Sequence, residues 1–230
     1  MQIREQSEQC GPKRKFGNII RVMLSIETFS AFFLASALLA IVPGPDNIFV
    51  LTQSALHGKL SGLVVMFGLC TGLLVHTGAV AFGVAVIFQA SALAFTLLKV
   101  IGAGYLLYLA WQIFRATPEQ IHMNGNQQKN LGMLYRRGII MNVTNPKVSI
   151  FFLAFLPQFA DPERGSISLQ MVALGGIFIV ATILVFGSVA LIGGALGDWL
   201  NRSERAQQVM NWVAGTVFVG LALKLVTAER

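Results

Sequence analysis

The sequence predicts an all-α polytopic membrane protein: about six transmembrane helices, arranged as two inverted three-helix repeats with broken first helices. Three observations predict it. Hydrophobic residues make up 55% of the chain and charged residues only 12%, against about 25% charge in a soluble domain. Long apolar runs with almost no charge recur six times, each close to the ~20 residues that cross a bilayer as a helix. Two of these runs are interrupted in matching places by proline beside a charge, at Val42-Pro43-Gly44-Pro45-Asp46-Asn47 and at Val143-Thr144-Asn145-Pro146-Lys147-Val148.

Residues 1–22 are polar and basic, with no sustained apolar period. Two readings stay open for them: a short basic tail, or a mis-assigned start with translation beginning at Met23. The first span is expected over 29–51. Lys13, Arg14 and Lys15 precede it, and Ala35-Ser36-Ala37 resembles a leader cleavage site. The apolar run, however, continues through the break into Ile48-Phe49-Val50-Leu51, longer than a leader core, so it reads as a retained span. The second span, 62–88, holds Gly68-Leu69-Cys70-Thr71-Gly72 and His76. The third, 91–114, carries Tyr105, Tyr108 and Trp111 at helical spacing, which favours a packing face over a pathway. Residues 115–137 form the connecting loop, too short for a core of its own. Spans four to six are expected over 138–159, 171–197 and 207–227. Gly193 and Gly197 in the fifth repeat the spacing of Gly68 and Gly72, which lets helix backbones approach closely within one chain.

The spans divide into a first repeat, 23–114, and a second, 138–230. Pro45 and Pro146 occupy equivalent places, followed by Ile48-Phe49-Val50-Leu51 and Ile150-Phe151-Phe152-Leu153. Ala103-Gly104-Tyr105 in the third span matches Ala214-Gly215-Thr216 in the sixth. An odd number of spans per repeat forces the two halves into opposite orientations, the plan of many transporters. Counted from Met23, the basic residues of the 115–137 and 198–206 loops favour both termini outside; Arg4, Lys13, Arg14, Lys15 and Arg21 weigh against this if they are present.

The net charge of +7 lies mostly in the N-terminal segment and the loops. That is the pattern of membrane flanks, so the lipid bilayer is the expected partner and nucleic acid is not. Cys10 and Cys70 form no framework. No phosphate loop, metal-ligand spacing or nucleophile elbow stands in the chain. Neither an enzyme, a cofactor nor a metal site is expected, and active transport would draw on an ion gradient or a separate subunit.

The breaks carry the candidate chemistry. Pro removes an amide donor and leaves backbone polar groups free to meet a solute. Pro43, Gly44, Pro45 and Pro146 shape the two breaks. Asp46 could hold an ammonium group, carry a proton or pair with Lys147. Lys147 could bind a carboxylate, neutralise Asp46 or snorkel to a surface. Asn47, Asn142 and Asn145 add uncharged donors and acceptors, or cap helix fragments. His76, mid-span, could relay protons or pack as a hydrogen-bonded neutral ring.

These stretches resemble the lysine exporter (LysE/RhtB) family of bacterial amino-acid efflux proteins. The resemblance covers roughly Met23 to the C-terminus. Its carrying segments are Ala40 to Asn47 with Pro-Gly-Pro-Asp, Gly72 to His76, Ile101 to Trp111, and Asn142 to Phe159 with Asn145-Pro146-Lys147 and Phe155-Leu156-Pro157-Gln158-Phe159. It implies a multi-pass inner-membrane exporter of amino acids or close derivatives, driven by exchange with protons or another coupling ion, with a homodimer left open. The expected substrate is a small amino acid, neutral rather than basic. Export of another small solute or metal ion, or a non-transporting accessory membrane subunit, are the alternatives.

Overall fold

A computed structural model of the protein describes residues 24–84, 92–116 and 130–227, and every regular element among them is helical. Helix α1 spans Ile26–Ile41 and opens where the Ser25 hydroxyl accepts the Thr28 amide at 3.1 Å. Pro43 ends it, and α2 (Pro45–His57) restarts with Pro45 in the first turn, where a missing N–H costs nothing. The axis bends by 63° between the two. Helix α3 (Lys59–Ala79) runs on through a π-helical turn at Val80–Val84, and α4 covers Ala92–Arg115. A second bend, of 49°, separates α5 (Leu131–Val143) from α6 (Pro146–Ile150). Helix α6 continues as a π turn at Phe151–Phe155 and a 3₁₀ turn at Leu156–Phe159. The long α7 (Ile167–Arg202) and α8 (Glu204–Thr227) complete the chain.

Among the described residues, four segments are long and apolar enough to cross a membrane alone: Lys59–Gly83, Thr96–Arg115, Ile167–Gly193 and Glu204–Thr227. Counting each bent pair as one span raises the number to six. The protein is a multi-pass membrane protein. Large apolar side chains such as Phe82, Ile101, Leu191 and Val209 face outward over these segments, as lipid contact requires.

The largest boundary shift from the sequence reading lies before the second break; α2 also runs on to His57, past the expected end at 51, and α7 covers Ile167–Arg202 where 171–197 is expected. Helix α5 begins at Leu131, inside the stretch read as the connecting loop. Asn130 caps it by accepting the Met133 amide at 3.1 Å. Its exposed Tyr135, Arg136 and Arg137 hide the first turns from a hydropathy reading. Residues 1–22, the end of the expected 62–88 span and residues 117–129 of the connecting loop lie outside the described residues.

Lipid tails are as apolar as leucine, so close packing rather than water exclusion holds such helices together. Glycine sets the closest approach. A Cβ on Gly68 of α3 would collide with the Tyr135 carbonyl of α5, and one on Gly138 of α5 would lie 2.6 Å from the Val65 carbonyl of α3. One turn on, a Cβ on Gly72 would lie 2.7 Å from the Asn142 side chain. The Gly68–Gly72 pair is thus spent inside the chain, on α5. Ser54 of α2 is wedged between Gly62 of α3 and Gly193 of α7. Beneath the second break, Phe32, Phe151, Phe152, Phe155, Phe159 and Phe178 make a ring cluster with centroids 4.8–6.5 Å apart. Tyr105, Tyr108 and Trp111 adjoin in sequence order with tilted rings, centroids 6.0 and 6.1 Å apart, on an outer face, and Cys70 is a buried free thiol packed in an apolar cluster.

Candidate functional site

A helix that ends inside the membrane leaves its last carbonyls without intrahelical donors. At the first break these carbonyls find partners from elsewhere. The Val42 amide takes Leu38 O at 3.1 Å. Asn47 reaches back across the break and donates through Nδ2 to Ala40 O at 2.7 Å. Lys147, from the other half of the chain, donates through Nζ to Val42 O at 3.1 Å and Leu39 O at 3.4 Å. Its ammonium sits against the negative end of α1, where a cation is stabilised. The Lys147 Nζ passes 3.3 Å from where a Gly44 Cβ would be, so a side chain there would push the ammonium aside by a few tenths of an ångström.

At the second break Asn145 is the N-cap of α6. Its Oδ1 accepts the Lys147 amide at 3.0 Å, and its Nδ2 donates to Asp46 Oδ2 at 2.9 Å. Asp46 stands in the first turn of α2, only 3% exposed. A carboxylate is favoured there by the positive end of the helix. Asp46 and Lys147 therefore meet opposite helix ends. Their charged atoms stay more than 4.0 Å apart, outside ion-pair distance. Asn145 bridges the two breaks instead.

His76 of α3 bonds the Asn142 carbonyl through Nε2 at 3.1 Å, and its ring lies 5.5 Å from that of Phe152. Because a carbonyl only accepts, Nε2 carries the proton in this bond. The histidine thus tethers the end of α5 just before the break.

Asp46, Asn142 and Lys147 line one small cavity of about 20 Å³, closed by Leu39, Ala40, Leu69, Val148, Phe178, Thr182 and Phe186. That is room on the scale of a water molecule, far below the ~300–1,000 Å³ of a pocket that encloses a small organic molecule. Three buried oxygens of its lining have no hydrogen-bond partner: Asp46 Oδ1, Asn142 Oδ1 and Thr182 Oγ1.

Of the residues singled out from the sequence, Asp46, Asn142, Asn145 and Lys147 converge at this point. His76 joins them through the Asn142 backbone. Pro43, Gly44, Pro45 and Pro146 shape the turns, and Asn47 caps the end of α1. Thr182 was not foreseen. Its only sequence signal is a hydroxyl between Ala181 and Ile183 in a long apolar run, shared by many packing threonines. The Leu39 and Val42 carbonyls, which take the Lys147 donors, have no side-chain signature at all.

Replacing Asn145 with alanine is expected to destabilise the protein by about 2–4 kcal/mol, through loss of a helix cap and of a donor to a buried carboxylate. Asn145→Asp keeps the cap but sets a second carboxylate against Asp46, so its midpoint is expected to rise as pH falls and one of the two acids is protonated. Unfolding midpoints of the detergent-solubilised variants, measured across pH, check both outcomes.

Known proteins resemble this chain over most of its length. The family model described as "LysE type translocator" matches residues 37–229. A Salmonella typhimurium protein named homoserine/homoserine lactone efflux protein is 32% identical over 207 residues, which cover 90% of this chain and 100% of the relative. A Salmonella typhi protein of the same name is 31% identical over the same shares. A Vibrio cholerae relative, named only as an uncharacterized membrane protein, is also 31% identical, over 90% of this chain and 100% of its own length. No solved structure gives a significant match. Breaks, bridging asparagine and family match run through the same stretch of chain, which belongs to the LysE type translocator family.

Proposed function

We propose that this protein is a secondary exporter of small amino acids or close derivatives across the bacterial inner membrane, exchanging them for protons. Members of its family are membrane translocators and not enzymes. The observation that carries the reading is the meeting of two broken helices at a buried carboxylate and a buried ammonium that do not pair with each other. An amino acid has two opposite charges of its own, and a site with a separated acid and base can engage both ends. The substrate's ammonium would approach Asp46, and its carboxylate the Lys147 region. The two Salmonella relatives are named for efflux of homoserine, a small neutral amino acid, which favours a neutral substrate here.

The cavity is too small for an amino acid, so loading requires the two breaks to separate. Lys147 would then exchange one or both α1 carbonyls for the substrate carboxylate. Asp46 is our choice for the proton carrier, since it is the acid nearest to both breaks.

The inverted repeat belongs to the same proposal. Helix α3 of residues 23–114 packs on α5, and α7 of residues 138–230 packs on α1. Helices α3 and α7 pack together, as do α4 and α8. Exchanging the two halves maps these four contacts onto one another, which supports an approximate two-fold axis in the membrane plane, while the packing of α2 on α3 and α7 has no counterpart at α6. Both termini outside, with the connecting loop in the cytoplasm, remains the orientation we favour.

Efflux from cells loaded with dipeptides tests the function. Export of homoserine, threonine and similar small amino acids is expected above that of cells lacking the protein, and a protonophore should suppress it. If efflux of every amino acid is unchanged, the exporter reading is wrong. If efflux persists at full rate with the proton gradient collapsed, the exchange ion is not the proton.

A further inference from the structure

Helix α5 buries Leu134, Gly138 and Asn142 on one side. Its opposite side exposes Met133 and Ile140, at 65% and 60%, and between them the two cations Arg136 and Arg137. Together with its continuation past the second break, α5 makes one bent span. At about 1.5 Å per residue, the arginines lie roughly 10–12 Å along the axis from Thr144. That is just inside the ~15 Å half-thickness of the hydrocarbon around a mid-membrane break. A guanidinium placed there is costly unless its long side chain reaches the level of the lipid phosphates.

An open groove of about 530 Å³ follows this side of α5, lined by Asn130, Gly132, Met133, Arg136, Arg137 and Ile140. Its chemistry changes in order toward the membrane centre: polar Asn130 and bare Gly132, then the two guanidiniums, then apolar Ile140. The Asn130 Oδ1 is taken by the Met133 amide, which leaves its Nδ2 donors for a hydroxyl or ester oxygen. Arg137 lies over the Phe49 ring of α2, 4.5 Å from its centroid. Among the described residues, no carboxylate comes within the 4.0 Å ion-pair distance of Arg136. We propose that this groove is the seat of one anionic glycerophospholipid, with its phosphate on Arg136 and Arg137, its headgroup toward Asn130 and an acyl chain over Ile140. Guanidinium groups match the paired oxygens of a phosphate in charge and geometry. A zwitterionic lipid carries its own cation beside the phosphate and gains less from the same arginines. A free phosphate ester has no chain to cover Ile140. Because Arg137 also rests on Phe49, the lipid braces α5 against α2, the helices that flank the two breaks.

Thermal unfolding of the full chain in neutral detergent tests this seat, with short-chain phosphatidylglycerol, short-chain phosphatidylcholine or glycerol 3-phosphate added at equal ionic strength. Phosphatidylglycerol is expected to raise Tm saturably and well beyond the other two, and added salt to weaken the response. Arg136→Gln is expected to raise the half-saturating lipid concentration about fivefold, the effect of one basic residue near an anionic surface. Met133→Glu, which sets a carboxylate into the groove, is expected to weaken binding at least as much and serves if the glutamine variant does not fold. Lys59→Gln, an exposed cation at the start of α3 and outside the groove, is expected to respond as the unaltered protein does. The seat is overturned if phosphatidylcholine stabilises as well as phosphatidylglycerol, or if Lys59→Gln weakens binding as much as Arg136→Gln, since general surface charge would then account for it. Stabilisation by glycerol 3-phosphate equal to that by the lipid would make the ligand a soluble phosphate and overturn the lipid assignment.

Discussion

Asp46→Asn is expected to cut amino-acid export by about 100-fold or more, because one member of a buried charge set is removed while the other stays. The substitution is nearly isosteric. The side-chain oxygen it retains can still accept from Asn145 Nδ2, now at 2.9 Å from Asp46 Oδ2, so the bridge between the breaks survives in shape. What it loses is the charge that, in the proposed exporter, would draw an ammonium and carry a proton. Lys147 stays held by two carbonyls of α1, which limits the structural damage. The measurement is counterflow in proteoliposomes with and without a pH gradient, alongside the yield of monodisperse protein. Full, proton-coupled transport by folded Asp46→Asn would remove Asp46 as the carrier. Loss of folded protein would instead mark the carboxylate as a structural support of the breaks.

Gly68→Leu is expected to abolish assembly of the folded protein, at a cost of about 3 kcal/mol or more, since overpacking here is not against a movable side chain. The atoms that a Cβ would meet are the Tyr135 carbonyl and the Gly138 Cα, both backbone. Neither can rotate away, so α3 and α5 would have to part. Gly78, ten residues on in the same helix, is the control. A Cβ there meets nothing within 4 Å, so Gly78→Ala is expected to stabilise by up to ~1 kcal/mol through helix propensity. Size-exclusion profiles and unfolding midpoints of the two variants provide the comparison. A Gly68→Leu protein as stable as its parent would mean that the crossing gives way easily.

Much of the architecture is legible in the residues, because hydropathy and proline act locally. The spans, the break after Val42 and the break after Val143 all follow from composition over windows of about 20 residues. Gly68 and Gly72 announce a close helix approach by their spacing, though not which helix approaches. The start of α5 was hidden because Arg136 and Arg137 dilute its apolar pattern. The site was half legible. Asp46, Asn145 and Lys147 stand out as polar groups at the breaks, and they do gather. Their partners do not stand out, since Asn145 meets Asp46 across 99 positions of sequence and Lys147 meets Leu39 across 108. Those contacts depend on helix packing, which no periodicity reports. Lys147 could not be assigned between pairing, snorkelling and binding from its position alone, and the answer at hand, capping a helix from the other half, uses backbone atoms that every sequence has. Thr182 and the π turns were silent for the same reason: one hydroxyl in an apolar run, and one extra residue in a helical turn, leave the hydropathy pattern unchanged.

The contact between Gly68 and Gly138 joins a helix of the first half to one of the second. Two backbones in contact have no intervening side chains to repack, so the crossing can swivel but can scarcely slide or open. It acts as an axle fastened through both halves. The halves are therefore not free to slide past each other there, and since α2 is itself wedged by Ser54 between α3 and α7, we expect the motion that admits a solute at α6 and the end of α1. A cross-link from α3 to α5 near the axle would leave turnover intact. The same link placed from α2 to α6 would stop it.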